Sequence, residues 1–143
     1  ARPMKGPTMT RLPALLLGAS LLLAAFPAAA GEFATLREEI SAARASLVSM
    51  VTNRDRRGPL EQKQVKDTAD AVSLHLARLK APQGRSAEFQ ELVATWNAFK
   101  ATREKELVPA ILANDTLKVT RLGAVVQKER LDRMYALLKV LEP

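Results

Sequence analysis

The sequence predicts an all-α fold: an antiparallel up-down-up-down four-helix bundle preceded by an N-terminal hydrophobic helix. Three observations predict it. Apolar residues recur at alternating spacings of three and four over four long segments. Short turn-forming breaks separate those segments, at Gly58-Pro59, at Ala81 to Gly84 and at Asn114-Asp115. No segment alternates with the period of a strand, and the chain has only 6 glycines and no β-branched clusters.

The first thirty residues form a separate unit. Arg2, Lys5 and Arg11 precede an uncharged run from Leu12 to Ala30, which carries Leu12, Leu16, Leu22 and Phe26 and ends in Ala28-Ala29-Ala30 before Gly31. A basic start, an apolar middle and a small-residue end make an export segment. Pro27 and the alanines suit cleavage after Ala30. The length suits a retained anchor, since the run spans roughly 28 Å at about 1.5 Å per helical residue. In both cases the basic residues stay inside and the rest crosses the membrane. The reading is therefore 1–30 as signal peptide or membrane anchor and 31–143 as the bundle. That bundle is exported to the periplasm, free or anchored in the inner membrane by the uncleaved helix.

The first bundle segment runs from about Phe33 to Asn53, with Phe33, Leu36, Ile40, Ala43, Leu47 and Met50 as its seam. Glu38 and Glu39 lie early in it, and Arg54, Arg56 and Arg57 follow its end, which suits the helix dipole. The second runs from about Leu60 to Lys80 on Val65, Ala69, Val72, Leu76 and Leu79. The third runs from Ser86, read as its N-cap, to about Ala113. Its seam of Phe89, Leu92, Trp96 and Phe99 continues onto the polar Arg103 and Glu106 before the apolar positions shift to Leu107 and Ile111. Pro109 is expected to remove one backbone hydrogen bond and bend this helix. Asp115 is the expected N-cap of the fourth segment, Thr116 to Leu141. There Val119, Leu122 and Val126 form one stripe and Leu131, Met134, Leu138 and Leu141 a second, joined by a stutter near Lys128 to Arg130.

Composition narrows the function. The 143 residues carry a net charge of +7, but three of the 22 basic residues lie before the apolar run, and the excess that remains is mild and scattered. With few aromatic residues between the charges, nucleic acid is not an expected partner. There is no cysteine, hence no disulfide, thiolate metal site or covalent haem attachment. His75 is the only histidine, and no paired histidine or Glu-x-x-His motif supports a metal site. Without a nucleophile–histidine pair or a carboxylate pair in a turn, no enzyme is expected, and no cofactor. Met50, Met134 and Tyr135 read as core filler.

Two groups remain as ligand-binding candidates. Trp96, Phe99 and Arg103 share the third helix, an aromatic floor with a guanidinium beside it that suits an organic anion. The competing reading makes the two rings core anchors and pairs Arg103 with Glu106 or lets it snorkel. Arg54 and Arg57, with Arg56, could hold an anionic ligand at the end of the first helix. Alternatively they form a solvated terminus that compensates its dipole.

The stretch from Phe89 to Leu138 resembles the periplasmic four-helix-bundle sensor domain of methyl-accepting chemotaxis receptors. The shared features are the Trp96-x-x-Phe99 pair, Arg103, the apolar turn from Leu107 to Leu112 and Asn114-Asp115 opening the last helix. The chain departs from that family in ending at Pro143, where receptors continue into a second transmembrane segment and a signalling coiled coil. The resemblance therefore implies a stand-alone sensor-like bundle that binds a small ligand or docks on another protein. Arginines near the end of the first helix hold anions in some members. Arg54, Arg56 and Arg57 match them only in rough location. A second resemblance, through the texture LDRMYALL, is to periplasmic bundle cytochromes holding b-type haem. Their last-helix histidine is missing here, where Ala136 stands.

The expected function is thus a non-enzymatic exported binding or interaction module, paired with itself as a homodimer or with a protein partner. Val48, Val51, Leu74, Val93 and Val125 are candidates for its docking surface. The alternative is a membrane-anchored accessory subunit capping the periplasmic face of a larger, electron-transfer type of membrane complex. A b-type haem bundle ranks third.

Overall fold

A computed structural model of the chain describes Pro3, Met4 and residues 29–143. The expected membrane residues Leu12, Leu16, Leu22 and Phe26 lie outside the described residues. The described chain is all-helical, without a strand among the described residues, and it forms four rods. The first rod is α1 (Ala29–Thr52) and the second is α2 (Pro59–Arg78). The third joins α3 (Ser86–Thr102), a π-helical turn (Arg103–Leu107) and α4 (Val108–Leu112). The fourth joins α5 (Thr116–Arg121), a second π-helical turn (Leu122–Gln127) and α6 (Lys128–Leu141). Among the described residues no helix is long and apolar enough to cross a membrane.

The seams read from the sequence are the core. All six seam residues of α1 and all five of the second segment are buried. Each fully buried Leu, Ile or Met contributes about 1.5–3 kcal/mol. In the third rod the large buried side chains after Phe99 are Arg103, Leu107 and Ile111, each four residues from the last, with the small Ala110 buried beside them. Three steps of four overrun three α-helical turns by about one residue. The π-helical turn takes up that extra residue: the Val108 N–H bonds to the Arg103 carbonyl, five residues back. Pro109, which has no N–H to give, sits at the start of α4 directly after this turn. The same device operates in the fourth rod, where the buried set steps by five from Leu122 to Gln127 and then to Leu131. The shift of stripe lies in Leu122–Gln127, just ahead of the expected Lys128 to Arg130. Val126 is only half-buried there, and Gln127 takes the inner place.

The ends follow helix-capping chemistry. Gly58 precedes Pro59, whose fixed φ and missing N–H fit the first turn. Ser86 is not the N-cap; Arg85 holds that place, and its carbonyl accepts from the Phe89 N–H at 3.0 Å. The third rod stops in a Schellman motif. Asn114 takes the left-handed conformation at φ 56°, its N–H bonds the Ile111 carbonyl at 3.1 Å, and the Asp115 N–H bonds the Ala110 carbonyl at 2.9 Å. Asp115 then caps the fourth rod, its carboxylate accepting from the Lys118 N–H at 3.1 Å.

The core is divided in two. One cluster gathers Phe33 to Ala43 of α1 with Trp96, Phe99 and the α6 seam. The other gathers Leu47, Met50, Val65, Leu107, Ile111 and Leu122. Polar groups from all four rods lie at the junction.

Candidate functional site

Arg103 is the centre of that junction. The seam pattern carries the position inward, and the side chain is 0 % exposed. Nη1 donates to the Ala43 carbonyl at 2.6 Å. Nη2 donates to Ser46 Oγ at 3.1 Å and to the Val65 carbonyl at 2.9 Å. Three of the five guanidinium N–H groups are thereby placed. The Nε–H is buried and has no acceptor. No carboxylate among the described residues pairs with Arg103, so the alternative pairing with Glu106 is not found; Glu106 lies instead near Lys118, at 3.9 Å. Burial pushes the Arg103 guanidinium down to about 10, with nearby Glu104 acting weakly in the other direction. It is still cationic at neutral pH.

Neighbours extend the polar layer without adding negative charge to it. Gln127, 5 % exposed, donates from Nε2 to the Phe99 carbonyl at 2.8 Å. Its Oε1 accepts from Arg130 Nη1 at 3.0 Å, and the same nitrogen donates to Thr102 Oγ1 at 2.7 Å. Ser46 and Thr68 share a hydrogen bond at 3.1 Å between the first and second rods.

Against this layer lies a cavity of about 650 Å³ between the first and fourth rods. Leu47, Val48 and Val51 form its α1 wall, and Val119 and Leu131 stand across from them. Phe99, Arg103 and Leu107 of the third rod close its inner side. Arg44, Thr120, Lys128, Asp132 and Tyr135 complete the lining with polar groups. Lys128 and Asp132 pair with each other at 2.5 Å, while Arg44 has no carboxylate partner among the described residues. Both π-helical turns contribute lining residues: Arg103 and Leu107 from one, Gly123, Ala124 and Gln127 from the other. Space beside Gly123 is open, since a Cβ there would meet nothing within 4 Å. The volume is in the range of pockets for small organic molecules.

The candidates named from the sequence separate in this structure. Phe99 and Arg103 meet at the cavity. Trp96 lies one layer behind, 0 % exposed, stacked on Phe99 with centroids 5.6 Å apart, and its Nε1–H donates to Ser73 Oγ at 2.9 Å. It supports the site and does not line it. Arg57 is engaged by the fold. Its guanidinium donates to the Met50 carbonyl at 2.8 Å, the Val51 carbonyl at 3.3 Å, the Ile111 carbonyl at 3.0 Å and Asn114 Oδ1 at 2.7 Å. Those carbonyls lie in the last turns of α1 and α4, so one side chain caps two helix ends. Arg54 is exposed and borders a smaller cavity of about 190 Å³ beside Arg57, away from Arg103.

Among the other candidates Met50 and Met134 resolve as packing, while Tyr135 borders the cavity and His75 pairs with a carboxylate. Met50 and Met134 are fully buried. Tyr135 is half-buried, with its hydroxyl 2.7 Å from Ser41 Oγ and its ring 5.6 Å from the Arg37 guanidinium carbon. His75 Nδ1 is hydrogen-bonded to Glu39 at 2.8 Å. Among the described residues no group of three or more His, Asp or Glu side chains could hold a metal ion.

Arg44, Gly123 and Gln127 were not singled out from the sequence. The signal for the last two was the stripe shift in the fourth segment, where a helix-interior glycine and a polar residue at an inner position flank the same turn. No protein-family model matches the chain, and no curated protein or solved structure matches it.

Proposed function

We propose that the chain is an exported, non-enzymatic binding module, a stand-alone bundle of the chemoreceptor-sensor kind, that takes a small ligand in the cavity between its first and fourth rods. One observation carries this: a roomy, largely apolar cavity abuts a fully buried guanidinium that has a donor without an acceptor and no carboxylate partner among the described residues. A fold that needed only stability would fill this layer with apolar side chains, because burying an unpaired cation is unfavourable. The built cavity favours ligand capture over the accessory-subunit alternative, which needs only an outer docking face.

An antiparallel up-down-up-down order belongs to the same proposal. It is supported by pairs that run oppositely along successive rods: Glu39 with His75, Asp70 with Lys100, and Glu91 with Arg133. Export is supported by the basic, apolar and small-residue order of the first thirty residues.

The test is a thermal-shift screen of small organic anions and neutral compounds on the full chain and on Gly123→Leu, whose side chain enters the open space beside the cavity. A compound at about a hundred times its Kd stabilises by about 2.7 kcal/mol. The expected result is a set of compounds that raise the midpoint of the wild type and leave Gly123→Leu unmoved. Hits that act equally on both proteins, or none at all, would refute the reading.

A further inference from the structure

Resting on that binding-module reading, we infer that the ligand is a medium-chain monocarboxylate, its aliphatic body along the apolar wall and its carboxylate against Arg103 and Arg44. The charge inventory of the lining selects an anion. Lys128 and Asp132 neutralise each other, which leaves the two arginines as unmatched cations on the cavity. Arg103 acts from a site with little water, where a charge is felt far more strongly than at the surface. A carboxylate set there supplies the counter-charge that the protein omits, and the Nε–H is a donor still without an acceptor.

The walls select one carboxylate and an apolar body. Leu47, Val48, Val51, Val119 and Leu131 offer no hydrogen bond from their side chains, so a second anionic group placed among them would find no partner there. A small inorganic anion would leave that apolar surface unfilled. An amine would face the two arginines.

The Nε–H is closed to water in the ligand-free molecule. Contact with it takes a shift of the side chains over it. The two π-helical turns on the cavity are where the wall departs from regular helix, and such turns are frequent at functional sites.

Trp96 makes the test direct. It is the only tryptophan, and it stacks on Phe99, which lines the cavity. Octanoate is titrated into the full chain below its micellar concentration, with Trp96 fluorescence and the melting midpoint as readouts. Octanol, octylammonium and inorganic phosphate are the comparators. The expected result is saturable octanoate binding, at least about tenfold tighter than octanol, with phosphate and octylammonium weaker still. Arg103→Met should narrow the gap between octanoate and octanol, with Arg44 holding what remains of it, and Gly123→Leu should bind neither. The comparison of octanoate with octanol needs no variant, so it stands if Arg103→Met fails to fold. Equal binding of octanol and octanoate would overturn the carboxylate assignment and leave the cavity reading intact. Tighter phosphate or octylammonium binding would overturn the ligand class. If octanoate fails while another screened compound binds the wild type and not Gly123→Leu, the monocarboxylate assignment falls alone. If no compound binds, both fall.

Discussion

Replacing Arg103 with Met separates the two uses of a buried cation, stability and binding. The depressed Arg103 value of about 10 corresponds to about 3 kcal/mol against the charged form. Its three hydrogen bonds, to Ala43, Ser46 and Val65, offset that cost. Methionine keeps much of the aliphatic volume and leaves no orphaned acceptor, because the Ala43 carbonyl also accepts from Ser46 Oγ at 2.8 Å and the Val65 carbonyl from Thr68 Oγ1 at 3.2 Å.

Arg103→Met should therefore lie within about 1 kcal/mol of the wild type in urea unfolding, followed by far-ultraviolet circular dichroism. Arg103→Ala should lose about 2–4 kcal/mol, because it enlarges a cavity in the middle of the bundle. The pH dependence has a definite sign. Burial lowers the folded-state value of a base, so its cost is present in full below about pH 10 and is relieved as pH rises from there toward the ordinary arginine value. The stability of the wild type relative to Arg103→Met should thus rise over that interval. A loss of more than about 3 kcal/mol in Arg103→Met at neutral pH would refute the reasoning and make Arg103 a structural rivet.

Gly123→Ala should stabilise the fourth rod by about 0.5–1 kcal/mol, since its Cβ meets open space and glycine is a poor helix residue; an unchanged urea midpoint would count against it. Ser73→Ala should cost about 1–2 kcal/mol by leaving the buried Trp96 Nε1–H without its acceptor, with a shifted Trp96 emission as the accompanying sign. Asp70→Asn should remove at most about 1 kcal/mol, because Asp70 is held below the usual carboxylate range by Lys100 and then Lys66 but is about a third exposed. That contribution is present at neutral pH and is lost as pH falls through the lowered folded-state value, so wild type and variant should converge in acid melts. Pro109→Ala should leave the π-helical turn and the burial of Leu107 and Ile111 unchanged, because the four-residue spacing from Phe99 to Ile111 calls for the extra residue with or without the proline; loss of that turn by NMR hydrogen-bond couplings would show the opposite.

Most of the fold was legible because it is written in spacing. The α1 seam from Phe33 to Met50 and the second from Val65 to Leu79 name core residues directly, since only one face of each helix is apolar. The Asp115 cap was legible because its chemistry is local. Ser86 was misplaced by one residue, as helix starts without a side-chain cap offer little to fix them. The site was half legible. Phe99 and Arg103 were visible as an aromatic–guanidinium pair, but the role of Arg57 was not: Ile111 and Asn114, which it bonds, lie more than fifty residues away. Arg44 was hidden for the same reason, since its cavity exists only once the fourth rod lies opposite α1.

The breaks in the pattern proved more informative than the pattern itself. An uninterrupted seam would place an apolar residue at position 103 and would need no extra residue before Leu107. Instead the sequence sets an arginine inward and spaces Leu107 and Ile111 so that a π-helical turn must follow. Across the cavity it places a glycine and a buried glutamine in a second such turn. Each departure costs stability when taken alone: a buried charge, a helix-interior glycine, a buried amide that must find partners. All three border one cavity. Independent defects would scatter along four rods, whereas a binding site requires them together, because an open wall, a shaped backbone and an unmatched cation are useful only at the same place.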